Sequence, residues 1–283
     1  MTWLVTGAAG FAGRHLLDLL ATFGERIVGV GHDADIELEL RQPEDVDRVV
    51  AAVRPDRVVH LAGTSSREQM ARDPTGGTEN ITLPVVHLLD ALLRHAPRAR
   101  ALIVTPFDVY GQSPTQPIPE SAPLRPRDLY GAAWASASYL SRRHVAAGLA
   151  VVTTRTFSYT GPDDGLSAVA GWRRLHADGN RIRLADPTMV RDWSDVRDVV
   201  SAYALLAETG EAGAAYNVGS GVGRATEEVV AALCPGAVVV SDPSLARKND
   251  VPTYVADVTR LRDVGWRPRY RWEQTVAAVR ESR

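Results

Sequence analysis

The chain has 283 residues, 45% of them apolar and 23% charged, with a formal net charge of −2 from 32 basic and 34 acidic side chains. That composition excludes collagen-like, low-complexity and disordered classes. The near-neutral balance, without a basic stripe, argues against nucleic acid or an anionic membrane surface as partner.

Residues 1–6 lead into Gly7 with no basic or cleavable apolar stretch, so the protein is expected to be cytoplasmic and to have no membrane span. The pattern predicts a strand at 3–6, a helix at 12–23, a strand at 26–31, a helix at 44–53 and a strand at 57–61. A longer helix follows at 78–95 and a strand at 101–105. Strand and helix alternating at this spacing predict an α/β fold, a doubly wound Rossmann parallel sheet with right-handed crossovers. Residues 112–127 hold five of the 17 prolines and read as a loop at a strand's carboxyl end, where such sheets bind ligands. Beyond it the pattern predicts a helix at 129–147, a strand at 151–154, a helix at 168–178, a short strand near 181, and helices at 196–208 and 226–233. The expected division is a dinucleotide-binding domain over 1–155 and a small C-terminal substrate-binding lobe over 156–283, with parts of 187–218 returning to the sheet.

Thr6-Gly7-Ala8-Ala9-Gly10-Phe11-Ala12-Gly13 spaces glycines three apart between a strand and a helix. Gly7 permits the turn, Gly10 lets backbone approach a pyrophosphate, and Gly13 lets the helix pack close, with its N–H groups aimed at phosphate. An acid at the tip of the second strand would select NAD through the ribose 2′-OH. Here the tip is Gly31-His32, with Asp33 late. Either Asp33 still reaches the ribose or it is a turn residue; NADPH is favoured, with His32 facing a 2′-phosphate, and NADH stays open. The seven histidines show no metal spacing, so no metal is expected. Cys234, the only cysteine, cannot form an internal disulfide, fits a reducing cytoplasm, and reads as packing.

The GxxGxxG spacing resembles the extended short-chain dehydrogenase/reductases, in their NDP-sugar epimerase/dehydratase branch. The similarity continues through His60-Leu61-Ala62-Gly63, Asn80, Val109-Tyr110-Gly111, Tyr130-Gly131, Arg155-Thr156-Phe157, Gly161-Pro162, residues 190–196, Tyr216-Asn217-Val218 and Gly265-Trp266-Arg267-Pro268. Within the branch, the GDP-4-keto-6-deoxymannose reductase group is the nearest pattern. The resemblance implies nicotinamide-side contacts at Leu61, Ala62, Gly63, Asn80, Tyr130, Thr156 and Phe157. It puts the adenine at Glu39-Leu40, with Glu39 either an acceptor for its amino group or merely exposed. The family's usual dimer would use the helices at 78–95 and 129–147.

The resemblance also implies a Ser/Thr–Tyr–Lys triad, which this chain breaks. Tyr130 is kept as proton donor, but Trp134 stands at the lysine position and Pro106 at the hydroxyl position, with Thr105 one residue early. Lys248 is the only lysine among the 32 basic residues, and its distant place in the chain does not suit it as a substitute. An unaided phenol near pKa 10 is about 0.1% ionised at pH 7, a poor base but a competent donor to a carbonyl. Reduction of an activated ketone therefore survives, while reactions that begin by oxidising a sugar should not. Pro106, Phe107, Trp134, Ser158, Tyr159 and Trp193 are expected to form a substrate pocket suited to a flat polycycle; alternatively Trp134 only plugs space and Trp193 is core. Arg191 and Arg247 would grip substrate phosphate or pair with Asp192 and Asp250. Asp108, beside the missing hydroxyl, reads as an exposed loop carboxylate, with proton donor as the alternative.

The leading expectation is an NAD(P)H-dependent ketoreductase acting on an activated ketone of an aromatic polyketide-type natural product, angucyclinone-like, partly substrate-assisted and belonging to antibiotic biosynthesis. An NDP-4-keto-6-deoxy-sugar reductase and a non-catalytic dinucleotide-binding regulator are the alternatives. The partner in the first two is a small molecule, with a homodimer as the assembly.

Overall fold

The computed structural model describes residues 1–63, 66–165, 167–246 and 250–282. The first half runs β1 (Thr2–Thr6), α1 (Phe11–Ala21), β2 (Arg26–Val30), α2 (Pro43–Val53), β3 (Arg57–His60), α3 (Arg67–Arg72), α4 (Pro74–His95), β4 (Arg100–Ile103), α5 (Leu129–Ala146) and β5 (Ala150–Thr156). The second runs β6 (Ser158–Thr160), α6 (Ala168–Ala177), β7 (Ile182–Leu184), β8 (Val190–Asp195), α7 (Val196–Thr209), β9 (Ala215–Val218), β10 (Gly223–Ala225), α8 (Thr226–Leu233), β11 (Val239–Ser241), β12 (Thr253–Tyr254), α9 (Thr259–Asp263) and α10 (Trp272–Glu281).

The main sheet is parallel, in the order β2-β1-β3-β4-β5-β9. Successive residues of β1 go to opposite faces, as the pleat requires. Leu4 packs with Val46, Val50, Val85 and Leu88 of α2 and α4. Trp3 and Val5 pack with Leu16, Leu20, Val199 and Tyr203 of α1 and α7. The chain leaves β1 toward β2 and then crosses back to β3. This reversal opens a crevice at the strands' carboxyl ends, the place where such sheets take ligands.

Helix α4 starts earlier than residue 78, because Asp73 caps Gly76 N–H at 2.9 Å and Pro74 occupies the first turn. Residues 112–127 form no regular element; Ile118 ties them to the backbone of Val255 and Asp257. A small lobe gathers β6, β10 and β12 around β8, with β7 paired to β11. Its core joins Val169, Ile182, Val229, Val230 and Val279. From the C-terminal half, α7 and β9 return to the main layers, and so do Leu261 and Trp266. Strand β8 was not legible as one, because Val190–Asp195 carries buried Asp192 and Asp195, which are satisfied only in three dimensions. Asp192 accepts from the N–H groups of Ser220, Gly221 and Ala256.

Candidate active site

The glycine loop is a cradle in which added carbon has no room. A Cβ on Gly13 would lie 2.3 Å from the Gly7 carbonyl oxygen, and one on Gly7 2.9 Å from Ala62 N. Helix α1 therefore sits directly on the turn. Its N-cap, Gly10, supplies no side-chain acceptor and its first turn holds no acid, so the leading N–H groups remain suited to an anion such as a pyrophosphate. From this loop a cleft of about 900 Å³ runs along the strand ends to the small lobe.

At the β2 end the cleft is lined by His32, Leu38, Glu39, Leu40 and Arg41. Asp33 is not on this wall; it takes φ +55° in the bend after β2, which favours its reading as a turn residue. Glu39 is on the wall, but its carboxylate is already engaged. It accepts from the backbone N–H and from both Nε and Nη2 of Arg41, at 3.0, 3.1 and 2.8 Å. The Arg41 hydrogen bond is the main reason its pKa falls to about 2. Arg41 itself gave no sequence signal, since it matches no motif.

In the middle stand Leu61, Ala62, Gly63, Asn80, Tyr130 and Trp134. Tyr130 and Trp134 lie one turn apart on α5, their rings edge to face at 6.5 Å. Asp128 caps that helix by accepting from Gly131 N–H at 2.8 Å. Trp134 rests on Gly63, whose missing Cβ would otherwise meet its ring at 2.6 Å. Burial drives the Tyr130 phenol up to about 12, opposed first by the Arg67 guanidinium. The Trp134 N–H also favours the phenolate slightly, but it reaches no acceptor at hydrogen-bond geometry.

Arg67 was not foreseen. It stands 5.0 Å from the Tyr130 ring centroid and is ion-paired to both Asp108 and Asp128. Asp108 is correspondingly buried, 9% exposed, not the exposed loop carboxylate expected. Thr105 lines the cleft. Its hydroxyl is buried and donates to the Thr154 carbonyl at 2.5 Å, so its proton is spent within the sheet.

At the far end the wall includes Phe11, Pro106, Phe107, Ser158, Tyr159 and Trp193, with Thr156 and Phe157 beneath. Phe107 stacks on Phe157 at 5.3 Å and Phe11 on Tyr159 at 5.9 Å. Trp193 also belongs to the core of the small lobe. Arg191 does not line the cleft. It donates to the carbonyls of Val190 and Pro252 and lies over Tyr254 at 5.3 Å, and Asp192 is not its partner. Arg247 lies outside the described residues. Among the described residues no cluster of His, Cys, Asp and Glu is arranged to hold a metal.

A profile of the NAD dependent epimerase/dehydratase family matches residues 3–219. The chain belongs to that family. Among epimerase/dehydratase relatives, GDP-6-deoxy-D-mannose reductase of Pseudomonas aeruginosa is 31% identical over 97% of this chain and 94% of its own length. The UDP-glucose 4-epimerase of Thermus thermophilus, solved with NAD, superposes with TM-score 0.89 at 28% identity, covering 99% of this chain and 98% of that one. RMD of Pseudomonas aeruginosa, solved with NADPH, superposes with TM-score 0.86 at 29% identity over 99% and 97%. The Rossmann-like sheet is thus the family's. Its members here are NAD(P)-dependent epimerases, dehydratases and reductases, which places this chain among oxidoreductase-type enzymes.

Proposed function

We propose that the protein is an NAD(P)H-dependent ketoreductase that reduces an activated ketone, angucyclinone-like in its aromatic character, with the substrate supplying part of the activation. The observation that carries this reading is Tyr130: a buried phenol on the cleft wall, held protonated by its surroundings. A dinucleotide would be held by the glycine loop, Leu61 to Gly63 and Asn80, with Arg41 and His32 at the adenosine end supporting NADPH. Bound there, it supplies a hydride. Tyr130 donates a hydrogen bond to the ketone oxygen and then its proton; its high pKa keeps the donor protonated but makes it a weaker acid, which the substrate's own activation offsets. Epimerisation and dehydration begin with alcohol oxidation and need the phenolate, which this site disfavours. Phe107, Trp134, Tyr159 and Trp193 offer aromatic walls to a flat substrate, and Arg191 is occupied elsewhere. On this reading the substrate is an aromatic polyketide of antibiotic biosynthesis, of the kind an angucyclinone ketoreductase reduces.

The second reading, an NDP-4-keto-6-deoxy-sugar reductase, is favoured by the 31% identity to GDP-6-deoxy-D-mannose reductase. NADPH oxidation against anthraquinone-like ketones and against a GDP-4-keto-6-deoxy sugar separates the two. Turnover of the quinone-type ketones alone supports the first; turnover of the sugar nucleotide, with a large thermal shift from GDP, replaces it with the second. Dinucleotide binding with neither turnover leaves a non-catalytic regulator. A cytoplasmic homodimer through the outer face of α5, where Tyr139 and Leu140 are exposed, belongs to the same proposal, and light scattering checks the assembly. Among the described residues no helix is long and apolar enough to cross a membrane.

A further inference from the structure

Arg67 opens α3 on the cleft wall, its guanidinium carbon over the Tyr130 ring at 5.0 Å from the centroid. Two carboxylates from other elements fix it there. Nε donates to Asp128, the N-cap of α5, at 2.7 Å, and Nη2 donates to Asp108 in the turn at 107–110. Both ends of the planar fork are thereby held, a geometry that a single ammonium does not reproduce. The guanidinium is 32% exposed, so solvent and the two carboxylates offset part of its charge. The remainder acts on whatever charge the aromatic ring carries.

On the reading of Tyr130 as the proton donor of ketone reduction, we propose that Arg67 is a positioning residue for that donation. Its guanidinium stabilises the negative charge that the phenol takes on as its proton leaves. The ketone carbon takes a hydride from the reduced dinucleotide, the carbonyl π pair moves to oxygen, and that oxygen takes the Tyr130 proton. A phenolate remains, whose charge spreads from its oxygen into the ring. The cation over the ring then faces a full anion instead of a quadrupole. Arg67 therefore acts more strongly on the transition state of proton transfer than on the resting phenol. Burial is the largest influence on the phenol and opposes ionisation, as do Tyr159 of β6 and Asp128; Arg67, and after it the Trp134 N–H, favour it.

Titration of protein labelled with 3,5-difluorotyrosine tests this, because the fluorinated phenol is more acidic and ionises nearer neutral pH. ¹⁹F NMR follows each tyrosine, and the Tyr130 resonance is the one missing from Tyr130→Phe. Arg67→Gln should raise its midpoint by about 1 pH unit, and Arg67→Lys should recover most of that. An unmoved midpoint overturns the proposal. So does an equal rise in both variants, which would trace the effect to lost packing and not to charge. Should Arg67→Gln not fold, with buried Asp108 left unpaired, the double variant Arg67→Gln, Asp108→Asn read against Asp108→Asn gives the same comparison. Turnover supplies the second readout. With a quinone-type ketone, Arg67→Gln should lower kcat about 3- to 10-fold, leave KM within about twofold, and cost nothing further in a Tyr130→Phe background. An equal loss in that background overturns action through Tyr130. Absence of NADPH oxidation with every ketone overturns the ketoreductase reading instead, while the ¹⁹F midpoints still decide whether Arg67 acts on the phenol.

Discussion

The indole of Trp134 lies on the bare Cα of Gly63: a Cβ at 63 would stand 2.6 Å from Cη2 and 2.8 Å from Cζ2. Both atoms belong to the outer ring of the indole, which a phenylalanine side chain would not extend so far. Gly63→Ala should therefore cost about 1–3 kcal/mol through overpacking, and much less in a Trp134→Phe background. A double-mutant cycle by urea unfolding measures the difference. Equal costs in the two backgrounds would mean that the backbone, at φ +149°, and not the indole, demands glycine.

With Tyr130 as the proton donor of the proposed reduction, it sets the pH dependence of turnover. Burial raises its pKa to about 12, so the proton-donating form persists from pH 6 to beyond pH 10, and ketone reduction should show no limb from this group in that range. Alcohol oxidation, which needs the phenolate, should instead rise about tenfold per pH unit. Tyr130→Phe should slow reduction about 10- to 100-fold, toward the lower end of what general acid catalysis contributes, because the substrate shares the activation. A variant with full activity would transfer the proton donor's role to substrate or water.

Thr105→Val should leave turnover within about threefold, since the hydroxyl proton already serves the Thr154 carbonyl. Its effect belongs to stability, about 1 kcal/mol for a buried hydrogen bond lost. Parallel kcat and thermal melts decide the matter; a hundredfold fall in kcat with unchanged melting would restore Thr105 to the chemistry.

What was legible in the sequence was whatever local periodicity or a contiguous motif encodes. The main-sheet strands from Thr2 to Thr156, the glycine loop and the Tyr130–Trp134 turn are of this kind, and their residues meet in one cleft. What escaped depends on partners distant in the chain. Arg67 gains its place from Asp108 and Asp128, 41 and 61 residues away, and no spacing rule joins them. The engagement of Glu39 depends on the rotamer of Arg41, and the turning aside of Asp33 on its backbone angle; neither is encoded in a motif. Strand β8 escaped because its buried aspartates violate the apolar pattern that marks a strand.

Arg41 gives the cofactor prediction. Its guanidinium, paired with Glu39 at 2.8 Å and 39% exposed, stands on the cleft wall where an adenosine 2′-phosphate would lie. A charged hydrogen bond of this kind contributes a factor of about 10 or more. Arg41→Ala should raise the Kd for NADPH about 10-fold and change that for NADH less than about threefold, read by fluorescence titration. Equal changes would remove Arg41 from phosphate recognition and leave only its pairing with Glu39.

His60 gives the stability prediction. The ring is fully buried beneath the cleft, its Nδ1 2.7 Å from Thr6 Oγ1 and its Nε2 without a partner among the described residues. Burial lowers its pKa from 6.5 to about 4. The folded state thus holds His60 neutral where the unfolded chain begins to take up a proton. Its contribution is present above pH 6.5 and is lost as pH falls toward 4, at about 3 kcal/mol across that window. Buried Asp192 and Asp198, whose pKa values burial raises, act with the opposite sign, so the whole-protein slope understates the histidine. The comparison that isolates it is urea unfolding of the wild type and His60→Leu at pH 7, 6, 5 and 4. The variant should start less stable and lose less on acidification, so the two curves converge. Parallel curves would show that His60 takes up its proton equally in both states.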